Sequence, residues 1–340
     1  MNRKTRTNWS GAGCIALLLV AVQVSAGKKT ETDVLYDDFS GGEAAYNEKW
    51  SLPFYGVAGE TLTTDGGALT RDLSGDEVGL SIPSFTAGSD FLFFDHIKYL
   101  ATSNELFAIP QKGSIMFSMD MSVQTPGAVP GRVMRATELE TGDAVTYAML
   151  EGRQACATLH MLNFHETGQL MDWLVSGSKA IALTERLFTE GVAGIDKTYT
   201  QIVGEIDIEP GVHNYAIRYT RGNGNGVDHV EWLIDGEVVF QQHKLGIPLD
   251  QQLAGYYRRN PITDPSQGPG ELLKTQMDTM IFGHGVFSLL DVFPYQQAPG
   301  PSVTIPVGPQ APSPDGSVST RLFGQGVIAT YDNARVVIIE

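Results

Sequence analysis

The stretch His213–Phe240 reads His-Asn-Tyr-Ala-Ile-Arg-Tyr-Thr-Arg-Gly-Asn-Gly-Asn-Gly-Val-Asp-His-Val-Glu-Trp-Leu-Ile-Asp-Gly-Glu-Val-Val-Phe. Two runs rich in β-branched and aromatic residues flank a glycine-rich connection. The second run breaks at Asp235-Gly236 and resumes as Glu-Val-Val-Phe. A two-residue hairpin needs φ > 0 at both turn positions, and Asp-Gly tolerates that. Three antiparallel strands are therefore predicted within this one stretch. Gly222–Gly226 is a hairpin loop and no phosphate cradle, because a strand follows it and not a helix.

Working outward, the same grammar recurs. In Gly113–Val123 the residues Ile115, Phe117, Met119 and Met121 fall on one face, the period of a strand. Arg153–Phe164 and Leu170–Val175 read as two strands joined by the loop His165-Glu166-Thr167-Gly168. Ala180–Leu187, Ala68–Thr70 and Val78–Ile82 read as further strands. Gly326–Tyr331 and Ala334–Ile339 read as a closing hairpin turning at Asp332-Asn333. Its second arm, Val336–Ile339, is expected beside the early strand Val34–Phe39, which removes a free edge. Within Leu249–Phe293, Glu271–Met280 and Phe287–Val292 read as short helices on the rim. About twelve short strands with so little helix predict an all-β fold, a two-sheet antiparallel sandwich with a few rim helices.

Hydrophobic residues make up 42% and charged ones 18% of the 340 residues, which excludes disordered and fibrous classes. Residues 1–26 read as an export signal. Arg3, Lys4 and Arg6 form its basic start, Cys14–Val22 its apolar stretch and Val24-Ser25-Ala26 its cleavage site. The apolar stretch is too short to cross a bilayer of ~30 Å as a helix, and no transmembrane segment is read in the mature chain. Residues 27–33 read as a loose leader, and 34–340 as one sandwich domain with a proline-rich surface segment at 297–316. Losing the three basic residues takes the net charge from −16 to −19. Such a chain repels nucleic acid and anionic membranes. It suits neutral glycans, metal ions or basic partners. Cys156 is the only cysteine beyond the signal, so no internal disulfide holds the fold. In Gln-Ala-Cys-Ala-Thr-Leu it reads as part of a buried strand.

Several of these segments carry a resemblance. His213-Asn214-Tyr215-Ala216-Ile217, Glu231-Trp232-Leu233-Ile234 followed by Asp235-Gly236-Glu237-Val238-Val239, and the closing Tyr331-Asp332-Asn333-Ala334-Arg335-Val336 resemble the concanavalin A-like lectin/glucanase jelly rolls. Tyr36-Asp37-Asp38-Phe39-Ser40, Asp95–Leu100, Thr184–Leu187 and Leu322–Gly326 resemble an uncharacterised bacterial family of that fold, which brings no activity with it. The resemblance implies a concanavalin A-like jelly-roll sandwich.

Three constellations could carry chemistry. Glu205-Ile206-Asp207-Ile208-Glu209 places three carboxylates on one face of a strand, and it resembles the Glu-x-Asp-x-Glu signature of retaining β-glucanases. That resemblance makes Glu205 the nucleophile, Asp207 its orienting partner and Glu209 the acid/base. A retaining pair needs carboxyls ~5 Å apart, whereas these Cα atoms lie about 13 Å apart along a strand. Pro210-Gly211 turns the chain directly after Glu209. The alternative is a solvated strand edge. The second constellation is a ligand-binding set of His96, Lys98, Asp172, Trp173, Glu185 and Arg186. Trp173 either stacks on a sugar or packs in the core, and Glu185 and Arg186 point to opposite faces of their strand. The third is Asp37, Asp38, Asp332 and Asn333, at the two chain ends expected to meet. They read either as oxygen ligands of a structural calcium or as ordinary turn residues. No Gly-x-Ser-x-Gly, paired Cys-x-x-Cys or His-Glu-x-x-His occurs, and no cofactor is required. Together these features predict an exported sandwich that binds carbohydrate or another extracellular ligand. The alternatives are a retaining glycoside hydrolase and a structural envelope-associated protein.

Overall fold

The structure, a computed structural model, describes residues 30–55, 62–63, 69–82, 97–127, 133–137, 144–149, 155–186, 189, 191–192, 199–222, 228–243, 245, 277–287, 295–297 and 326–340. The export signal and nearly all of the proline-rich segment lie outside them.

Two large sheets pack face to face. The nine-stranded sheet runs in the order Glu237–His243, His229–Ile234, Val212–Arg221, Gly113–Gln124, Val327–Ile339, Val78–Ile82, Leu69–Asp72, Leu62–Thr63, with Glu31–Asp37 also paired to Val327–Ile339. The eight-stranded sheet runs Tyr199–Asp207, Lys179–Arg186, Gln169–Val175, Cys156–Asn163, Thr279–Phe287, Ile97–Ser103, Trp50–Tyr55, with Phe107–Ala108 paired to Thr279–Phe287. A three-stranded sheet joins Val133–Thr137, Ala144–Met149 and Tyr295–Gln297. Leu62–Thr63 and Leu69–Asp72 pair in parallel, and the other ladders are antiparallel. The fold is thus the predicted all-β, two-sheet antiparallel sandwich.

The opening stretch forms its three strands in consecutive pairing. Asp235 and Gly236 both take positive φ, 51° and 83°, the twist that a two-residue hairpin requires. Ile115, Phe117, Met119 and Met121 are all buried between the sheets. Opposite them lie Ala157, Leu159 and Met161 from one strand and Met171, Trp173 and Val175 from the next. Aromatic side chains cross this core to reach backbone on the facing sheet. Trp173 Nε1 donates to the Ala216 carbonyl at 2.9 Å, and Trp232 Nε1 donates to the Asp172 carbonyl at 2.9 Å. The Tyr331 hydroxyl donates to the Gly285 carbonyl and accepts from the Thr158 N–H at 3.3 Å. It therefore stands inside the ladder between Cys156–Asn163 and Thr279–Phe287. At one side of the sandwich, the Phe240 ring lies over Gly204, where a Cβ would come within 2.4 Å of it. A side chain at this position would force the Phe240 ring to move.

Three expectations need correction, and one element is new. The closing hairpin is instead one continuous strand, Val327–Ile339, whose register against Gly113–Gln124 shifts between Asp332 and Arg335. Only Asn333 takes positive φ (52°), whereas a type I′ turn needs two such residues in succession. Asp332-Asn333 therefore makes a bulge, and Val34 does pair with Val336. The rim helices do not form where they fall within the described residues, because Met280 and Phe287 both lie in the strand Thr279–Phe287. That strand is buried along almost its whole length. The loose leader becomes ordered sooner than predicted, with Glu31, Thr32 and Asp33 in the first strand. Finally, Gly42–Lys49 forms a helix that the sequence reading lacked.

Candidate functional site

The eight-stranded sheet has a second face, turned away from the core. Alternation along Cys156–Asn163 sends Leu159 and Met161 inward and His160 outward. The hairpin register then fixes the neighbours of His160, which pairs with Asp172 on one side and Gly283 on the other. Thr158 pairs with Leu174 and Gly285 in the same way. This outer face is apolar around the pair: Leu100, Cys156, Leu174, Ile181, Leu183 and Phe287 belong to a buried cluster separate from the core.

His160 Nδ1 lies 2.7 Å from Asp172 Oδ1, and both side chains are about 2% exposed. Burial pushes the Asp172 carboxyl above its ordinary value, against the opposing pull of His160. The imidazole ring lies 5.0 Å from the Phe287 ring. The other ring nitrogen, Nε2, and the hydroxyl of Thr158 are buried without a hydrogen-bond partner. Gly283 and Gly285 leave the neighbouring strand bare on this face. The close approach of the next strand accounts for both glycines, since a Cβ would stand 3.0 Å from the Ala101 carbonyl oxygen or 2.1 Å from that of Tyr99.

Of the predicted ligand set, Asp172 is central to this face. Glu185, paired with Leu170, shares the face nearer a strand end. Lys98 is buried and is the extra residue of a bulge, since Tyr99 pairs with Val286 and Ile97 with Phe287. Trp173 points the other way, into the core, as its hydrogen bond to Ala216 requires. Arg186 is buried on the side opposite Glu185, with Nε donating to the Thr167 carbonyl at 3.0 Å. His96 lies outside the described residues.

The acidic triplet takes a different place. Tyr199–Asp207 is the edge strand of the eight-stranded sheet, and Glu205, Asp207 and Glu209 are exposed. Asp207 pairs with Lys179 across the ladder. Glu209 lies beyond the strand end, in a turn where its carbonyl accepts from His213 Nε2 at 3.0 Å. The ring of His213 is held from the other side by Asp235, with Nδ1 2.7 Å from Oδ2.

The chain ends do meet, but their polar residues bond to protein. Asp37 is buried and accepts from Trp50 Nε1 at 2.8 Å, Lys49 Nζ at 2.8 Å and the Phe39 N–H at 3.1 Å. Asp38 accepts from the Ser40 hydroxyl at 2.7 Å. Asp332 faces Asp120 across the ladder, and Asn333 Nδ2 donates to both, at 3.1 and 2.9 Å. Burial, with the charges of Asp120, Asp38 and Asp76, pushes the Asp332 carboxyl up. Among the described residues, no three His, Cys, Asp or Glu side chains form a group that could hold a metal ion. Nor is any helix there long and apolar enough to cross a membrane.

His160 was missed by the sequence reading, because its place opposite Asp172 depends on the hairpin register. Once Asn163 and Gln169 close the hairpin, His160 falls opposite Asp172 by register alone.

Comparison with known proteins adds a family. The model of a family of unknown function, DUF6081, matches residues 36–340. No curated protein matches. Among solved structures, an endo-1,3-β-glucanase from Streptomyces sioyaensis is similar with a TM-score of 0.40 and 11% identity, over 92% of this chain and 97% of that one. The potassium-bound carbohydrate recognition domain of Emp46p gives a TM-score of 0.38 and 8% identity, over 89% and 95%. A glycoside hydrolase family protein from Mycobacterium thermorestibile gives 0.36 and 8%, over 91% and 99%. Likenesses this distant say nothing of what the chain binds or cleaves.

Proposed function

The chain thus belongs to the DUF6081 family, whose function is unknown, and from that premise we propose that it is an exported β-sandwich that binds a neutral glycan. One observation carries the reading. A buried His160–Asp172 pair sits on the outer face of the eight-stranded sheet, amid apolar side chains and apart from the core between the sheets. Buried polar pairs cost desolvation unless fully bonded, so a pair retained outside the core points to recognition. The strongly acidic composition favours an uncharged ligand over an anionic one.

The acidic triplet supports the hydrolase reading less well. Glu205 is on an exposed edge strand and Glu209 is past its end, whereas glycoside cleavage needs two carboxyls flanking one bond. The test is a panel of neutral soluble glycans titrated into the mature protein. Retention of at least one at millimolar concentration is expected, with the affinity of E205Q/E209Q within about twofold of wild type, the change expected for surface groups remote from the ligand. Release of reducing ends by wild type and not by the double variant replaces this reading with hydrolysis. No retained sugar leaves the structural, envelope-associated role. Export rests on the Arg3–Ala26 pattern, and amino-terminal sequencing of the protein recovered outside the cytoplasm is expected to begin at Gly27. Recovery of an intact Met1 start would refute it.

A further inference from the structure

We propose that His213 is a pH-sensitive latch: as an imidazolium it ties the turn after Asp207 to the hairpin at Asp235-Gly236, and as a neutral ring it lets that turn go. The edge strand Tyr199–Asp207 belongs to the eight-stranded sheet and Val212–Arg221 to the nine-stranded one. Residues 208–211 carry the chain from one sheet to the other. His213 is the second residue of the receiving strand, and its ring is held on both sides. Nε2 lies 3.0 Å from the Glu209 carbonyl oxygen, and Nδ1 lies 2.7 Å from Asp235 Oδ2. A backbone carbonyl and an ionised carboxylate both accept and neither donates. A neutral imidazole has a single N–H and can satisfy only one of them, so the two bonds together require the charged ring.

Asp235 is itself anchored. Its Oδ1 accepts from the Asn214 N–H at 2.9 Å, and its own N–H donates to the Asn214 carbonyl at 2.8 Å. When the ring loses a proton, the one that remains stays with the charged acceptor, which makes the stronger bond. The Nε2 lone pair then faces the lone pairs of the Glu209 carbonyl, and the turn is the part that gives way. Tyr215, two residues along the same strand, meets the ring edge-on at 6.3 Å between centroids and stays neutral, because burial pushes its hydroxyl up. On the strand Gly113–Gln124, Met121 lies opposite His213, and the neighbouring Asp120 is engaged with Asn214 and Asn333. Asp235 is thus the charge that governs the ring. Its hydrogen bond raises the His213 pKa above the ordinary value, against a lowering by partial burial, and the Glu209 bond adds to the rise. Burial raises the Asp235 carboxyl, but the bonds from His213 and Asn214 outweigh this and leave it below its ordinary value. The raised histidine stabilises the fold fully below the unfolded value of ~6.5, and that contribution is lost as pH rises through the folded value. The depressed carboxyl contributes above its unfolded value of ~3.9 and is lost as pH falls through the folded value.

The experiment titrates 15N-histidine-labelled protein from about pH 5 to about pH 10, across the ordinary histidine value. The His213 signals are those absent from His213→Gln. At about pH 6 both ring nitrogens are expected to show the protonated shift, with a midpoint above the ordinary value. Asp235→Asn is expected to lower that midpoint, since it removes the governing charge. The Gly211 amide resonance is expected to move with the same midpoint in wild type and to stay still in His213→Gln. The Tm excess of wild type over His213→Gln is expected at the acid end and to vanish at the alkaline end. A ring with a single N–H at about pH 6 overturns the latch. A Tm difference of equal size at both ends, or a Gly211 amide that titrates alike in wild type and variant, does the same. If His213→Gln does not fold, the test is whether Asp235→Asn lowers the midpoint of one histidine and leaves the others in place; no such selective change overturns the proposal.

Discussion

Replacing Trp173 by alanine is expected to lower the unfolding free energy by about 3–5 kcal/mol, the range for truncating a fully buried large aromatic side chain. Trp173 is 0% exposed, and its ring meets Tyr215 edge-on at 5.8 Å between centroids and Phe240 at 6.1 Å. The loss has two parts. Removing the indole leaves a cavity that rigid strands on both sides can close only in part. It also removes the Nε1–H that reaches the Ala216 carbonyl on the facing sheet. Trp173→Phe retains most of the packing and loses the donor, so it is expected to cost less than the alanine variant. Urea unfolding of both variants measures the difference. The same pair decides whether Trp173 is a sugar platform. A platform variant would keep its stability and lose affinity; here stability is expected to fall, with any retained glycan bound by the folded fraction as in wild type. A cost for Trp173→Ala below about 1 kcal/mol would contradict its placement in the core.

Trp173 also shows where the sequence stops being informative. In half-buried strands the pattern reads plainly, as in Gly113–Gln124, where alternate residues face the core. Gln169–Val175 and Cys156–Asn163 are buried on both faces. A strand covered on both sides has no polar–apolar period, so nothing in either run says that Trp173 points inward while Asp172 and His160 point outward. That distinction comes from register, and register comes from the loop between the two strands. Asp172 was therefore legible as a polar residue of interest, whereas its partner was not. The helix Gly42–Lys49 was illegible for a related reason. Tyr46 is its one buried residue, and Gly41 before it offers no side-chain cap, so neither an apolar stripe nor a start signal marks it. The meeting of the chain ends was legible because pairing the late strand Val336–Ile339 with the early strand Val34–Phe39 removes a free edge. The bulge at Asp332-Asn333 was not, because the same dipeptide serves a turn or a bulge according to whether one residue or two take positive φ.

Where the ends meet, Asp37→Ala is expected to cost about 3 kcal/mol. The carboxylate accepts from the Trp50 indole, the Phe39 N–H and the Lys49 ammonium. Lys49 is 37% exposed and regains water when Asp37 is removed. Trp50 and Phe39 are buried, and their N–H groups are left unpaired, which costs about 1–3 kcal/mol each when no water replaces the acceptor. Asp37→Asn keeps one acceptor oxygen and turns an amide toward the other donor, so it is expected to fall between wild type and alanine. These three bonds give the carboxylate a role that needs no metal. A chelator is accordingly expected to leave the wild-type Tm unchanged while Asp37→Ala lowers it. Calcium bound only by the folded chain must raise its stability. A Tm that falls with chelator in wild type, and does not fall further with chelator in Asp37→Ala, would make Asp37 a cation ligand and displace the indole and ammonium from the role assigned to them here.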